Sequence, residues 1–379
     1  MSLLWRRRSE LHPDQIRAIE DLDPEGRYLL IGPPGSGKTS ILLHRGQYLR
    51  LPPHSMTNVR LITFSRTLRE FIAVNGDDRF PPNLIRTVKD FTADIFRAYH
   101  AASPGFAAGT PLIEQNRERA RVALELIRTQ GTRLQFDCLL IDEVQDLTAE
   151  EVNLFAALSS RLMLVGDSRQ RLYDAEGAME AATAARCQTI ELKHHYRISR
   201  DICRVADSIL VQGDYKLETY CHYQGPTPSP PTSIGGLTRA QQIARLLESL
   251  DIQIDTYNDP NDLIGVVAWR TEDCDSLFEV LSGTRFGPMA AVFHSAIQNR
   301  SFRPGCRICI VTVQSCKGLE FRALHWLFAD EYGHYITRER AYTVATRAKS
   351  SLTVYHNRAL AACLAGAIAS PPRGIFEDD

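Results

Sequence analysis

Along this chain, short continuous apolar runs alternate with longer stretches in which apolar positions recur every three or four residues. The runs Tyr28–Ile31, Arg60–Phe64, Phe136–Ile141 and Leu162–Val165 predict strands in the first half. Leu263–Trp269, Arg307–Val313, Leu324–Phe328 and Leu352–Tyr355 predict strands in the second. Helices are predicted over Arg66–Val74, Glu114–Thr129 and Glu150–Ser159, then over Arg200–Val211, Arg239–Leu250, Glu272–Leu281 and Arg338–Lys349. Apolar strands separated by helices indicate parallel sheets covered on both faces. The expected fold is therefore α/β, with one doubly wound parallel sheet in each half. The Pro/Ser-rich stretch Gly225–Ser233 must be loop, and it falls inside the second half. No internal repeat of solenoid or propeller period is visible.

Composition narrows the picture only slightly. The 379 residues suffice for two domains of ordinary size. Lys and Arg number 44 against 45 Asp and Glu, so attraction of nucleic acid would have to come from a local groove. No apolar run reaches membrane-spanning length and the N-terminus lacks a signal-peptide core. A cytoplasmic protein without membrane contact is expected. Trp5-Arg6-Arg7-Arg8 reads as a solvated basic arm, and Pro371–Asp379 as a short acidic tail. Nine scattered cysteines read as reduced thiols. Cys306 and Cys309 form the only C-x-x-C pair, and Cys309 lies in an apolar strand, so zinc is not expected there. His194 and His195 are adjacent, point in different directions, and are not expected to share a metal. Trp269 and Trp326 end or interrupt apolar strands and read as core.

Chemistry enters at Leu29–Ser40, LLIGPPGSGKTS, an apolar strand running into the full G-x-x-x-x-G-K-[ST] pattern. Gly32, Gly35 and Gly37 permit backbone torsions that ring phosphate oxygens with N–H groups. Pro33, Ser36 and Ser40 complete the expected cradle. Lys38 would place its ammonium on the outer phosphates, Thr39 would offer a hydroxyl to Mg²⁺, and a helix opening at Lys38 adds its positive dipole end. Binding of a nucleoside triphosphate is expected. A second motif supports this: Phe136–Leu147 reads FDCLLIDEVQDL, a strand ending on Asp142, which would hold Mg²⁺, and Glu143, the candidate base for the attacking water. Strand-end placement puts both carboxylates at the sheet edge where the glycine loop also sits.

Gln145 and Asp146 extend this to DEVQD, which resembles motif II of the UvrD/Rep-like superfamily-one helicases. The other motifs of that family follow in its order. Leu11-His-Pro-Asp-Gln15 resembles the Q motif, with Gln15 placed to read adenine. Leu61–Arg66 resembles motif Ia, which implies single-strand contacts at Phe64, Ser65 and Arg66. Arg86–Phe91 resembles a further DNA-contact motif and implicates Thr87. Val165–Tyr173 resembles motif III, where Gln170 would sense the γ-phosphate and Tyr173 would touch nucleic acid. Leu192–Ile198 resembles motif IV, with Arg197 reaching the phosphates. Thr312–Phe321 resembles motif V, which implies nucleic-acid contacts at Thr312 and Gln314 and a nucleotide contact at Glu320. Tyr342–Lys349 resembles motif VI, with Arg347 as arginine finger. The resemblance runs from Leu11 to about Tyr355. It implies two RecA-like lobes (1–188, with a small insertion around 103–131, and 189–368, followed by the tail 369–379) and an ATP site in the cleft between them. ATP and Mg²⁺ are the implied cofactors.

The implied activity is that of an ATP-dependent helicase or translocase, 3′ to 5′ on single-stranded or tailed DNA. Four positions depart from the family pattern. Ala175 stands where a tryptophan stacks on a base, Glu176 where an arginine is usual, Gln314 where histidine is common and His195 where asparagine is common. Losing one stacking platform removes roughly 1–3 kcal/mol of grip per base. The large accessory insertions of the family are also missing. These departures favour an alternative: a DNA-activated ATPase subunit that regulates a partner such as a nuclease, in repair or defence against foreign DNA. A silent scaffold is a third reading, opposed by Lys38, Asp142, Glu143, Gln170, Arg197 and Arg347.

Overall fold

The apolar runs become the interior strands of two all-parallel sheets. The computed structural model describes residues 7–64, 66–75, 80–167, 177–211, 215–259, 262–294 and 305–368. The chain divides into two compact units, residues 1–193 and 194–379. In the first, β1 (Arg27–Ile31), β2 (Val59–Thr63), β3 (Ile85–Thr87), β4 (Cys138–Ile141), β5 (Leu162–Gly166) and β6 (Gln188–Glu191) lie in the order β3-β2-β4-β5-β1-β6. The helices of this unit are α1 (Pro13–Ile16), α2 (Lys38–Arg50), α3 (Arg66–Asn75), α4 (Val88–Ala98), α5 (Leu112–Gln130), α6 (Ala149–Leu158) and α7 (Ala178–Ala184).

Alternation along the strands divides the core of this unit. Leu29, Ile62, Leu139, Ile141, Leu162 and Leu164 pack with Phe91 and Ile95 of α4, Ala120 and Ala123 of α5, and Val152 and Phe155 of α6. Leu140, of opposite parity, meets α2, where a side chain on Gly46 would come within 2.8 Å of its Cδ1. The helix α5 covers the segment expected as a small insertion and contributes to this shared core. Residues 188–191, at the expected domain boundary, form β6 against β1, and the first unit continues through Lys193.

The second unit repeats the plan with β7 (Thr232–Ile234), β8 (Ile264–Ala268), β9 (Ala290–Phe293), β10 (Ile308–Thr312), β11 (Phe321–Trp326) and β12 (Ala348–Tyr355), in the order β7-β12-β11-β8-β10-β9. Its helices are α8 (Arg200–Ile209), α9 (Arg239–Thr256), α10 (Thr271–Ser282), α11 (Arg338–Ala345) and α12 (Ala362–Ile368). Leu246 and Leu250 of α9 and Leu277 and Leu281 of α10 close over Ile264, Val266, Ile308 and Ile310. Both units are RecA-type α/β lobes in their sheet order and helix cover.

Three expectations need correction. Thr232 and Ser233, expected as loop, pair in parallel with Thr353 and Val354 as the start of β7. The helix expected over Arg338–Lys349 stops at Ala345, and β12 begins at Ala348 because its residues are buried and pair with β11. Trp326 is core, at 2% exposure. Trp269 is only partly buried, because it follows the last residue of β8 and leaves the sheet.

Candidate active site

The glycine-rich loop follows β1 at the C-terminal edge of the first sheet and ends on α2. Gly35 and Gly37 adopt φ of 82° and 87°, and Gly37 is the N-cap of α2. A side chain at Gly37 would also meet Gln15 Nε2 at 2.5 Å. Glycine is thus required there both by torsion and by space. Gln15 is buried, donates from Nε2 to the Ser36 carbonyl at 2.8 Å and accepts from the His12 N–H at 3.0 Å. Ser36 Oγ donates to the Pro33 carbonyl at 2.9 Å. Lys38 Nζ donates to the carbonyls of Gly32 and Pro33 at 2.8 and 2.9 Å, so its ammonium lies over the loop it would serve. Ser40, in the first turn of α2, interacts with His44 one turn on: its carbonyl is 2.8 Å from His44 Nδ1.

The two carboxylates meet the loop at the same edge. Asp142 follows β4 and is anchored by its N–H on the Ile62 carbonyl at 2.9 Å. Thr39 Oγ1 donates to Asp142 Oδ2 at 2.7 Å, and the Glu143 N–H donates to Asp142 Oδ1 at 2.9 Å. Burial, reinforced by the neighbouring Glu143 carboxylate, pushes the Asp142 carboxyl up to about 7, against the pull of Thr39 and Lys38. An all-oxygen pair of hydroxyl and buried carboxylate is the donor set of a hard divalent cation, and such a cation would offset this charge crowding. Thr39 and Asp142 therefore fit Mg²⁺.

Glu143 adopts φ 56° and ψ 46°, a left-handed conformation uncommon outside glycine. Its carboxylate accepts from Gln145 Nε2, and Gln145 Oε1 in turn accepts from the Asp167 N–H at 3.0 Å. Gln145 lies directly against Gly166, where a side chain would approach Oε1 to 2.5 Å. The Gly166 carbonyl accepts from the Gly32 N–H at 3.1 Å. Backbone and one amide thus tie the glycine loop, the end of β5 and the DEVQD carboxylates into one edge. The DEVQD resemblance extended the acidic motif to Gln145; its bracing role was not legible in sequence.

The remaining expected residues fall in different places. Phe64 packs partly buried against the first core, Arg66 opens α3 at the surface, and Thr87 caps α4 by accepting from the Asp90 N–H at 3.1 Å. Ser65, Gln170 and Tyr173 lie outside the described residues, as do Ala175 and Glu176. In the second unit Arg197 forms an ion pair with Glu320, and Lys349 Nζ stands 3.8 Å from the same carboxylate. Arg347 is buried, with Nε donating to the Thr343 carbonyl at 3.2 Å. Thr312 Oγ1 donates to Ser315 Oγ at 3.0 Å, and Gln314 is exposed.

One cluster escaped the sequence reading. Trp269 stacks on Tyr332 and Tyr335, with ring centroids 6.2 and 5.9 Å apart and planes 20° and 22° from parallel. Arg340 lies over the Trp269 ring at 5.5 Å and Arg270 over Tyr332 at 4.7 Å. Tyr335 is 51% exposed. Three rings interleaved with two cations form an amphipathic surface of the kind that stacks bases and holds phosphate. The available signal was a Trp-Arg pair at a strand end followed, much later, by Tyr-x-x-Tyr ahead of α11.

No curated protein matches the chain. Among solved structures, the chain is similar to the C-terminal domain of a possible DNA helicase from Lactobacillus plantarum WCFS1, at 22% identity over 45% of this chain and 92% of that one, with TM-score 0.33. It is similar to the PRRSV helicase at 14% identity over 87% of this chain and 52% of that one, with TM-score 0.44. Residues 15–176 match the family model described as an AAA domain. That stretch contains Gln15, the glycine loop, Lys38, Thr39, Asp142 and Glu143, so the match and the geometry agree on a P-loop nucleoside triphosphatase site.

Proposed function

We propose that the chain is an ATP-driven DNA motor of the UvrD/Rep-like helicase class, acting on single-stranded or tailed DNA. The observation that carries the reading is the convergence of Lys38, Thr39, Asp142 and Glu143 at one sheet edge, braced by Gln145. Lys38 would neutralise the outer phosphates, and Thr39 with Asp142 would hold Mg²⁺. The bound ion would supply charge for the transferring phosphoryl group, while Glu143 accepts the proton of the attacking water. Gln15 and Glu320 are proposed to touch the nucleotide itself. From motif order, Arg197, Arg347 and Gln170 are proposed to stabilise the charge that develops during transfer. The rings of Trp269, Tyr332 and Tyr335 support the nucleic-acid part of the reading, together with the proposed contacts at Phe64, Ser65, Arg66, Thr87, Tyr173, Thr312 and Gln314.

Ala175 and Glu176 favour a second reading, in which DNA activates the ATPase and a protein partner such as a nuclease uses the cycle. ATP turnover of the full chain with and without single-stranded DNA, together with strand displacement on a 3′-tailed duplex, separates the two. The motor reading expects DNA-stimulated turnover that Lys38→Ala abolishes, and displacement that depends on ATP. Stimulated turnover without displacement supports the partner reading. Turnover that persists in Lys38→Ala, or that ignores DNA, refutes both.

A further inference from the structure

Within the second unit, His195, Cys203 and Cys221 converge, and none of the three is among the residues proposed to touch nucleotide or nucleic acid. Cys203 lies in the first turn of α8. His195 and Cys221 face each other across a parallel bridge, fixed by His195 N–H to the Tyr220 carbonyl at 3.2 Å and His222 N–H to the His195 carbonyl at 2.9 Å. Two separate extended segments and one helix therefore deliver the three side chains.

The ligating atoms of all three lie within 4.8 Å of one another, and Cys203 Sγ is 3.7 Å from His195 Nε2. Both thiols point at one carbonyl: Cys221 Sγ is 3.3 Å and Cys203 Sγ 3.8 Å from the oxygen of Ile198. A tetrahedral ion with ordinary zinc–sulfur and zinc–nitrogen bonds needs sulfur–nitrogen and sulfur–sulfur edges of roughly 3.6 and 3.8 Å. Closing the three around an ion thus asks for shifts of about an ångström. His195 and Cys203 are fully buried while Cys221 is partly exposed, so solvent reaches one side. Two sulfurs and an imidazole are a soft donor set, wrong for Mg²⁺ and right for Zn²⁺.

We propose that His195, Cys203 and Cys221 form a binding site for one Zn²⁺, with a solvent molecule as fourth ligand. Binding releases the thiol protons and turns Nε2 from the Leu217 carbonyl, which it meets at 2.8 Å, toward the ion. The ion then pins the segment that carries Arg197, two residues beyond His195, to α8 and to the Cys221 segment. The soft site and the Thr39–Asp142 pair would select different cations, so zinc and Mg²⁺ would not compete.

The test uses the reduced, full-length chain stripped with a chelator. Co²⁺ should add as one equivalent and give thiolate-to-metal charge-transfer bands with the visible d–d bands of a tetrahedral ion, all lost on adding Zn²⁺. Zn²⁺ measured against a chromophoric chelator should bind at least about a hundredfold more weakly to Cys221→Ser and Cys203→Ser, at or beyond the loss that follows removal of an outer-shell partner. Cys363→Ser, outside the cluster, should keep the one-equivalent stoichiometry. The cobalt spectrum is read on the unaltered chain, so a variant that fails to fold does not decide the matter. Absence of charge-transfer bands overturns the proposal, as does a cobalt spectrum that survives Cys221→Ser. Ready coupling of Cys203 to Cys221 as a disulfide on air oxidation, with no metal bound before it, makes the pair a redox couple and also overturns it.

Discussion

Replacing Gly37 by alanine tests the geometry of the glycine loop at its tightest point. At φ 87° a Cβ carries a left-handed penalty of about 1–2 kcal/mol. The same Cβ would stand 2.5 Å from Gln15 Nε2, so the Gln15 amide must leave. It then loses its bonds to the Ser36 carbonyl and from the His12 N–H, each with a net worth of about 0.5–1.5 kcal/mol. Gly37→Ala should therefore destabilise the first unit by about 2–5 kcal/mol. In a Gln15→Ala background those bonds are already gone and space is open. The same substitution should then cost only the torsional part, about 1–2 kcal/mol, which leaves a coupling of about 1–3 kcal/mol. Hydrogen exchange of the β1 and α2 amides is the right assay, because it reads one unit in a chain of two. Additivity of the two substitutions within about 0.5 kcal/mol would show that Gln15 does not brace the loop as described.

Three further outcomes follow from the same structure. Glu143→Gly should be more stable than Glu143→Ala by about 1 kcal/mol, because both lose the bond from Gln145 and only glycine escapes the left-handed penalty; ATP turnover should fall to background in both and in Glu143→Gln, and turnover at the native rate in any of the three rules Glu143 out as the base. Tyr335→Ala and Trp269→Ala should each weaken single-strand binding by roughly ten- to a hundredfold, read by anisotropy of a labelled oligonucleotide; no change would make the ring cluster plain packing. His325 is fully buried between Tyr355 Oη and Gln253, and burial lowers its pKa to about 4 from an ordinary 6.5. The unfolded chain therefore binds the extra proton between those values, and stability of the second unit should fall as pH drops through that window, by on the order of 3 kcal/mol in all. Comparison with His325→Gln isolates the effect, because Asp142 and Glu151, both pushed up to about 7, gain stability in the folded state as pH falls.

The division between what was legible and what was not follows the sheets. All eight runs expected as strands are interior strands, and the strands not expected, β3, β6, β7 and β9, are the four edges. Interior strands of a parallel sheet are covered on both faces and so must be apolar throughout, as the fully buried β4, β5, β8 and β10 are. An edge strand pairs on one side only and can be short or polar: Gln188–Glu191 is largely exposed, and Ile85–Thr87 has three residues. The glycine loop between β1 and α2 was legible because phosphate binding demands glycine torsions and a lysine at fixed spacing, and Gly35 and Gly37 do adopt positive φ. Trp269 was not, because its partners Tyr332 and Tyr335 come from a turn more than sixty residues later, and nothing local distinguishes a ring that leaves the sheet from one that stays in it.

The strain at Glu143 shows why this edge is built as it is. A non-glycine residue in the left-handed region persists only where its surroundings over-determine it. Here the Glu143 N–H is held by Asp142 Oδ1, its carbonyl accepts from the Asp146 N–H at 3.0 Å, and its carboxylate is held by Gln145. Those three restraints come from side chains and backbone of the same short turn, while Gln145 is itself anchored on the Asp167 N–H at the end of β5. The turn could not slip without releasing β5, and Gly166 in β5 holds the first residue of the glycine loop through its carbonyl. A general base must keep its geometry through each cycle while the groups around it exchange partners. Lys38 and Gln15 donate to loop carbonyls and Thr39 to Asp142, bonds that ligand binding can exchange one for one. The Glu143 N–H, carbonyl and carboxylate bond within its own turn, to Asp142, Asp146 and Gln145, an arrangement suited to a proposed base that keeps its place while the cradle rearranges.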